Sequence, residues 1–424
     1  MEFLIPITLI FALLYEWRFN IFNIPTNFLM LWVFFVWIVF FSYLTYKKQI
    51  LNFFLYTKTI NKKVLLFTVL FFLSGIFSLF TNGIDLKKIG QFLILFVQPI
   101  TLFFICNYTF SIKPKTKDLL LTTCYLLLGL MGTYAIVQYF TLWGLPQQFW
   151  GNNVEPKRAV SFFSHPNFYA LFSAPLLAFL IPDIFIPLKT IAYKLKASLW
   201  VFGTIGLFLS LSRAGWLGLA CAVSVYLIFV ADKKIRKFAF VIVIVMVIAL
   251  FSIPNFRYRL LLPFYGERSA NSRMELWASG WKAIKTSPVF GLGLNGYLEN
   301  YQKFQTNKTL DTHNFPHNIF LNFWVETGLL GLISFISIVI LGIYKAFKKT
   351  GVILNPIASG DEESQRQRSF AKPQSLSRDS RGNDAIRLGM ALFLTCLLTQ
   401  GLIDNPYFKN DLAMAFWVIL SLIV

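Results

Sequence analysis

Apolar residues along this chain come in uninterrupted blocks rather than in alternation. The blocks fall at roughly 3–15, 27–46, 64–81, 89–110, 118–143, 162–181, 197–211, 214–231, 238–254, 318–344, 389–404 and 411–424. Runs of about 18 or more apolar residues signal transmembrane helices, whereas a membrane barrel would show short segments of period two. The pattern therefore predicts an all-α polytopic membrane protein with about twelve transmembrane helices, the first and last short, packed as a single membrane domain over residues 1–424. No internal repeat of fixed period is visible. Two polar interruptions stand out. Residues 255–317 contain no span-length apolar run and predict a long outer loop with short helices that carries part of a site. Residues 350–387 include GDEESQRQRSFAKPQSLSRDSRGND, which predicts a disordered inner loop.

Composition agrees with this pattern. Of 424 residues, 56% are hydrophobic, with 48 Phe and 11 Trp, and only 14% are charged. The net charge of +20 would suit nucleic acid, but the basic residues are spread through short loops between spans, so membrane topology explains them and no nucleic-acid partner is expected. With the N-terminus inside, the short inner loops carry 15 Lys and Arg against 7 in the short outer segments. Both termini then lie inside and all three histidines outside. Cys106, Cys124, Cys221 and Cys396 all fall within apolar runs, which gives no disulfide framework and no metal-ligand spacing. The N-terminus reads as a first span rather than a signal peptide.

Several residues depart from the apolar pattern in chemically useful ways. Residues 197–231 are apolar apart from Ser-Leu-Ser-Arg-Ala-Gly at 210–215. As one helix they would run about 52 Å, against a hydrocarbon core of about 30 Å. The chain is therefore expected to break between Ser212 and Gly215, with Arg213 at the outer ends of two helices. An arginine at that depth is costly and calls for an anion. Arg273 lies in Ser-Arg-Met-Glu-Leu-Trp-Ala-Ser-Gly-Trp, where helical spacing puts Arg273, Trp277 and Gly280 or Trp281 on one face of an amphipathic helix. Arg268 opens the same stretch. The run Gly291-Leu292-Gly293-Leu294-Asn295-Gly296 follows, able to turn tightly but too weak alone to mark a phosphate loop.

His313 and His317 flank Pro316 at the edge of the tenth block. With Asn314 as cap and Pro316 in the first turn, His317 is expected inside the start of that helix, where the dipole disfavours imidazolium. A neutral imidazole there suits a general base. Glu326 lies deeper in the same block, and a carboxylate in a span is functional by default. Gly328 and Gly331 form a small-x-x-small step for close helix packing. Arg158, His165 and Asn167 occupy another outer segment, and Asp404 ends the eleventh block on the same side. Cations, a candidate base and helix ends at one face point to a phosphate ligand at lipid depth. The outer acids are scattered, so catalysis without a metal or other cofactor is expected.

These residues resemble a known family. His317-Asn318, nine residues and then Gly328-Leu329-Leu330-Gly331 match the H-[NSQ]-x9-G-x-x-G pattern of O-antigen ligases, and Ser212-Arg213-Ala214-Gly215-Trp216 resembles that family's short Ser-Arg signature. Arg273-x3-Trp277 with SPVFGLGLNGY is similar to the core shared by O-antigen ligases and polymerases. The resemblance covers roughly 150–345. It implies an inverting, metal-independent glycosyltransferase of GT-C type in the bacterial inner membrane, with its site facing the periplasm. The implied donor is a glycan on undecaprenyl diphosphate. The ligase branch would transfer it to lipid A–core, and a polymerase would transfer it to another lipid-linked glycan. His317 is the implied base, and Arg213, Arg273 and Arg158 the implied diphosphate-binding residues. His313, Asn318, Glu326 and His165 are supporting candidates. A transporter of lipid-linked glycan is the alternative outside enzymes, but only one broken helix pair is visible where transporters show two.

Overall fold

The computed structural model describes residues 2–21, 24–81, 83–152, 156–185, 191–231, 235–237, 251–261, 268–305, 314–350 and 378–423. Most of the expected block at 238–254 and most of the 350–387 loop lie outside these residues. What is described is overwhelmingly helical. Helices α1 (Leu4–Phe11), α2 (Phe28–Tyr46), α3 (Ile50–Thr57), α4 (Lys62–Thr81) and α5 (Leu86–Ile112) come first. They are followed by α6 (Lys115–Thr141), α7 (Pro166–Ile184), α8 (Ile191–Leu209), α9 (Arg213–Phe229) and α10 (Pro254–Leu261). Helices α11 (Arg268–Thr286), α12 (Gly296–Phe304), α13 (Ile319–Lys349), α14 (Arg378–Gly401) and α15 (Asn410–Leu420) complete the set. Among the described residues, α2, α4, α5, α6, α7 and α13 are long and apolar enough to cross a membrane, and the chain is an α-helical polytopic membrane protein.

Three features differ from the sequence expectation. A two-stranded antiparallel hairpin, β1 (Arg18–Ile21) and β2 (Ile24–Asn27), sits between α1 and α2, so the fold is not purely helical. Its four-residue strands are too short to give a readable alternation. Helix α14 starts at Arg378, well before the apolar block at 389, so the 350–387 stretch is helical from 378 onward. Polarity keeps a segment out of lipid but does not keep it from being helical. The third difference is the interior of α13. Gly328 has φ 66 and ψ −171, which breaks the helix where the sequence suggested a smooth packing step.

The bundle is held by close backbone approach. Helix α14 packs against α7, α9 and α13, and a Cβ at Gly389 would meet the carbonyl oxygen of Phe179 on α7. Pro99 removes the N–H that Leu95 O would otherwise accept within α5. The Tyr407 hydroxyl donates to that oxygen instead, at 2.7 Å, and ties α5 to the 402–409 segment. At one end of the bundle the C-termini of α8 and α14 meet the N-termini of α7, α9 and α13.

Gly328 is a test of this architecture. Its φ lies in the left-handed region, and a Cβ there would run into Val289 O and the backbone of Phe290. Strain of this kind costs about 1–3 kcal/mol before any clash. Gly328→Ala is expected to lower the melting temperature of the detergent-purified protein. Gly382→Ala, where a Cβ meets nothing within 4 Å, is expected to leave it unchanged. Equal melting curves would refute the break.

Candidate active site

The site begins at the junction of α8 and α9. Leu209 ends α8, Leu211 takes φ 49, and Ser212 is the extended N-cap of α9, so the break predicted from length is present. The last carbonyls of a helix lack partners within it. Here the carbonyls of Leu209 and the two residues after it are taken from outside: Ala159 N donates to Leu209 O at 3.0 Å, Arg158 Nε to Ser210 O at 3.0 Å, and Arg259 Nε to Leu211 O at 3.3 Å. Two guanidiniums thus sit at a helix C-terminus, where the dipole favours them. Trp216 stacks on Phe256 of α10 with ring centroids 5.6 Å apart, which holds α10 over the break.

A cavity of about 320 Å³ opens beside this junction, lined by Asn167, Ser212, Arg213, Ala214, Arg259, Arg273, Met274, Trp277 and Ile403. Three arginines from three helices converge on it, and no acidic side chain is among its lining residues. The N-terminus of α9, the positive end of its dipole, faces the same space through Ser212 and Ala214. Three arginines, the start of a helix and the apolar side chains of Met274, Trp277 and Ile403 thus share one space.

Arg273 rides on α11. That helix is amphipathic as expected, but its apolar face does not rest on lipid alone. Leu276, Ala283 and Ile284 are buried against Tyr297 and Tyr301 of α12 and Val325 of α13. Arg273 Nε donates to Ile403 O at 3.0 Å, and Trp277 Nε1 to His317 O at 3.3 Å. One helix face therefore holds a cavity arginine and grips the backbone of the histidine.

His317 is not in the first turn of α13. The N-cap is Asn318, whose side chain accepts from Phe320 N and Leu321 N at 3.0 Å each, and the helix starts at Ile319. Asn314 and Pro316 precede it without capping it. The better cap was Asn318, because a side chain next to the first turn reaches two of its N–H groups. His317 takes φ 49 just outside the helix. Its Nδ1 lies 3.1 Å from Asp404 Oδ1, in the 402–409 segment that also supplies Ile403 to the cavity. Asn318 Nδ2 fastens the same segment by donating to Leu402 O at 2.9 Å.

Asp404 is buried, which by itself raises a carboxyl pKa. The hydrogen bond and charge of His317, with help from Arg273 and the Asn405 N–H, outweigh burial and hold it at about 2. An ionised Asp404 keeps the proton on Nδ1 and makes Nε2 the basic nitrogen. The imidazole is 30% exposed and can meet a substrate.

The remaining candidates divide. Arg158 Nη2 donates to Asn167 Oδ1 at 2.8 Å, so Arg158 reaches the cavity through its wall instead of lining it. His165 caps α7, with Nδ1 accepting from Asn167 N at 3.1 Å. Burial, then Arg158 and Lys409, lower its pKa to about 4, so it adds no charge at neutral pH. Glu326 is away from the cavity and accepts from the N–H groups of Asn295 and Tyr297. His313 lies outside the described residues, as does the side chain of Arg268. The sequence reading missed Arg259, which stood as one basic residue among many in the outer loop. It noted Asp404 but had no way to pair it with His317 across 87 positions.

Fold and site together define a polytopic helical membrane protein with an arginine-lined cavity beside a histidine–aspartate pair. Residues 198–336 match the family model described as O-antigen ligase, a stretch that contains Arg213, Arg259, Arg273 and His317. Over that stretch, about a third of its length, the chain is similar to the O-antigen ligase family. It is also similar to an uncharacterized protein of Haemophilus influenzae, 29% identical over 174 residues. That alignment covers 35% of this chain and 44% of the relative, so the chain spans less than half of the curated protein it matches.

Proposed function

We propose that this protein is an O-antigen ligase: a metal-independent, inverting glycosyltransferase that moves a glycan from undecaprenyl diphosphate to a sugar hydroxyl of lipid A–core. The observation that carries this reading is the His317–Asp404 pair set against a cavity lined by Arg213, Arg259 and Arg273. In the reaction the acceptor hydroxyl gives its proton to His317 Nε2 as its oxygen attacks the anomeric carbon. The bond from that carbon to the diphosphate breaks on the opposite face, and configuration inverts. Negative charge grows on the lipid diphosphate, and the three guanidiniums with the α9 N-terminus stabilise it. Asp404 orients the imidazole and stabilises the imidazolium. Met274, Trp277 and Ile403 give the polyprenyl end an apolar wall.

Residues 1–424 form one membrane domain in this reading, with about twelve spans of GT-C type. The cavity faces the periplasm of a bacterial inner membrane, the 255–317 loop carries part of the site, and the 350–387 stretch is cytoplasmic. Membrane lipids are its surroundings, and it uses no cofactor. Deleting the gene and resolving the cell's lipopolysaccharide by electrophoresis tests the acceptor. Loss of all O-chains is the expected result, whereas core bearing a single repeat would make the protein a polymerase using the same donor.

Sidedness has its own test. Helix α11 lies by the start of α13, with Gly280 against Pro316, and Lys348 lies in the last turn of α13, at the opposite end beyond the Gly328 break. Lys282→Cys is expected to react with a membrane-impermeant maleimide in cells with a permeabilised outer membrane, and Lys348→Cys only after lysis. The reverse pattern would invert the topology.

A further inference from the structure

The arginine and the histidine of this site come from separate arms of the chain, and a buried carboxyl group is among the links between them. Residues 287–296, which continue the Arg273 helix, dock into the break in α13. Leu292 N donates to Val325 O at 2.6 Å, Leu329 N to Val289 O at 2.9 Å, and Trp324 Nε1 to Pro288 O at 2.7 Å. At this junction Glu326, 3% exposed, accepts Asn295 N on Oε2 and Tyr297 N on Oε1. These are the cap and first-turn N–H groups of α12. Asn295 is in turn held by Gln91 Nε2 at 3.2 Å, and Glu299 of α12 by Lys88 at 3.2 Å.

We propose that Glu326 is a positioning residue that fixes the Arg273 arm to the His317 arm, and so sets the distance between the bound diphosphate and the base. This rests on the glycosyl-transfer reading above. The chemistry favours a carboxylate over its amide. Two N–H groups, each aimed at a different oxygen, are met by a carboxyl group, both of whose oxygens can accept. A glutamine would present its own N–H₂ to one of them, leaving a buried donor against a donor. The arm would then shift, and Arg273 would shift with it, because α11 runs directly into the docked segment.

Glu326→Gln in the purified full-length protein tests the idea with three readouts. Amide hydrogen exchange in residues 288–298 is expected to accelerate at least tenfold while exchange elsewhere and the melting temperature stay close to native. Inorganic pyrophosphate, used as the probe for the cavity, is expected to bind about tenfold more weakly. In the transfer assay the loss is expected in donor KM more than in kcat, and KM for the acceptor is expected to hold. A disulfide between Val289→Cys and Leu329→Cys, formed with mild oxidant, is expected to restore pyrophosphate affinity to Glu326→Gln. Unchanged amide exchange and pyrophosphate affinity overturn the proposal, as does failure of the closed disulfide to restore binding. The exchange and pyrophosphate arms need no glycosyl transfer. A native protein without transferase activity, whose Glu326→Gln variant still loses protection and pyrophosphate affinity, would overturn the reaction and keep the positioning role.

Discussion

His317→Ala is expected to leave a folded, membrane-inserted protein whose transfer rate is lower by about 10²–10⁴-fold, the usual cost of a lost general base. Asp404→Asn is expected to fall within the same range. An amide facing Nδ1 can donate as well as accept, so it no longer fixes the tautomer that makes Nε2 basic, and it cannot offset the imidazolium charge. The two residues act as one unit across their 3.1 Å contact. The double variant is therefore expected to be little worse than His317→Ala alone. Initial rates with purified protein, referred to the amount of monodisperse protein recovered, check both. Full activity of Asp404→Asn would mean that the contact only ties the 402–409 segment to α13.

The arginines carry the second large effect. Transfer from a lipid diphosphate needs cations where the leaving charge grows, and either a divalent metal or fixed side chains can supply them. Among the described residues no group of three or more His, Cys, Asp or Glu is placed to hold a metal ion. The cavity is lined by three guanidiniums. A guanidinium grips two phosphate oxygens through a planar fork, which an ammonium cannot reproduce. Arg213→Lys and Arg273→Lys are each expected to lower kcat/KM by about tenfold to a hundredfold, in line with about 1.5–3 kcal/mol for a charged hydrogen bond. Arg259→Lys should also give up the bond to Leu211 O that steadies the α8–α9 break. The native enzyme is expected to work at full rate in EDTA. Full activity of the lysine variants, with EDTA inhibition reversed by Mg²⁺, would assign the charge stabilisation to a metal.

The sequence alone determined the membrane class, because block length against bilayer thickness needs no tertiary information. For the same reason it located the break at Arg213: residues 197–231 are too long for one crossing and carry polar residues at one point. The amphipathic period of α11 and the match around His317-Asn318 were also local, and they survive. Everything that depended on partners distant in the chain was decided by packing. Asp404 meets His317 only because α14 ends beside the start of α13. Arg259 joins the cavity only because α10 folds over the α8–α9 break. Gly328 is a backbone break because residues 287–296 occupy the space a continuous helix would need, and Glu326 is satisfied by the N–H groups of that same insertion. Hydrophobic periodicity records how each segment faces its surroundings. It holds no record of which segment is on the other side, and in this protein the His317–Asp404 pair and the arginine-lined cavity are assembled across those contacts.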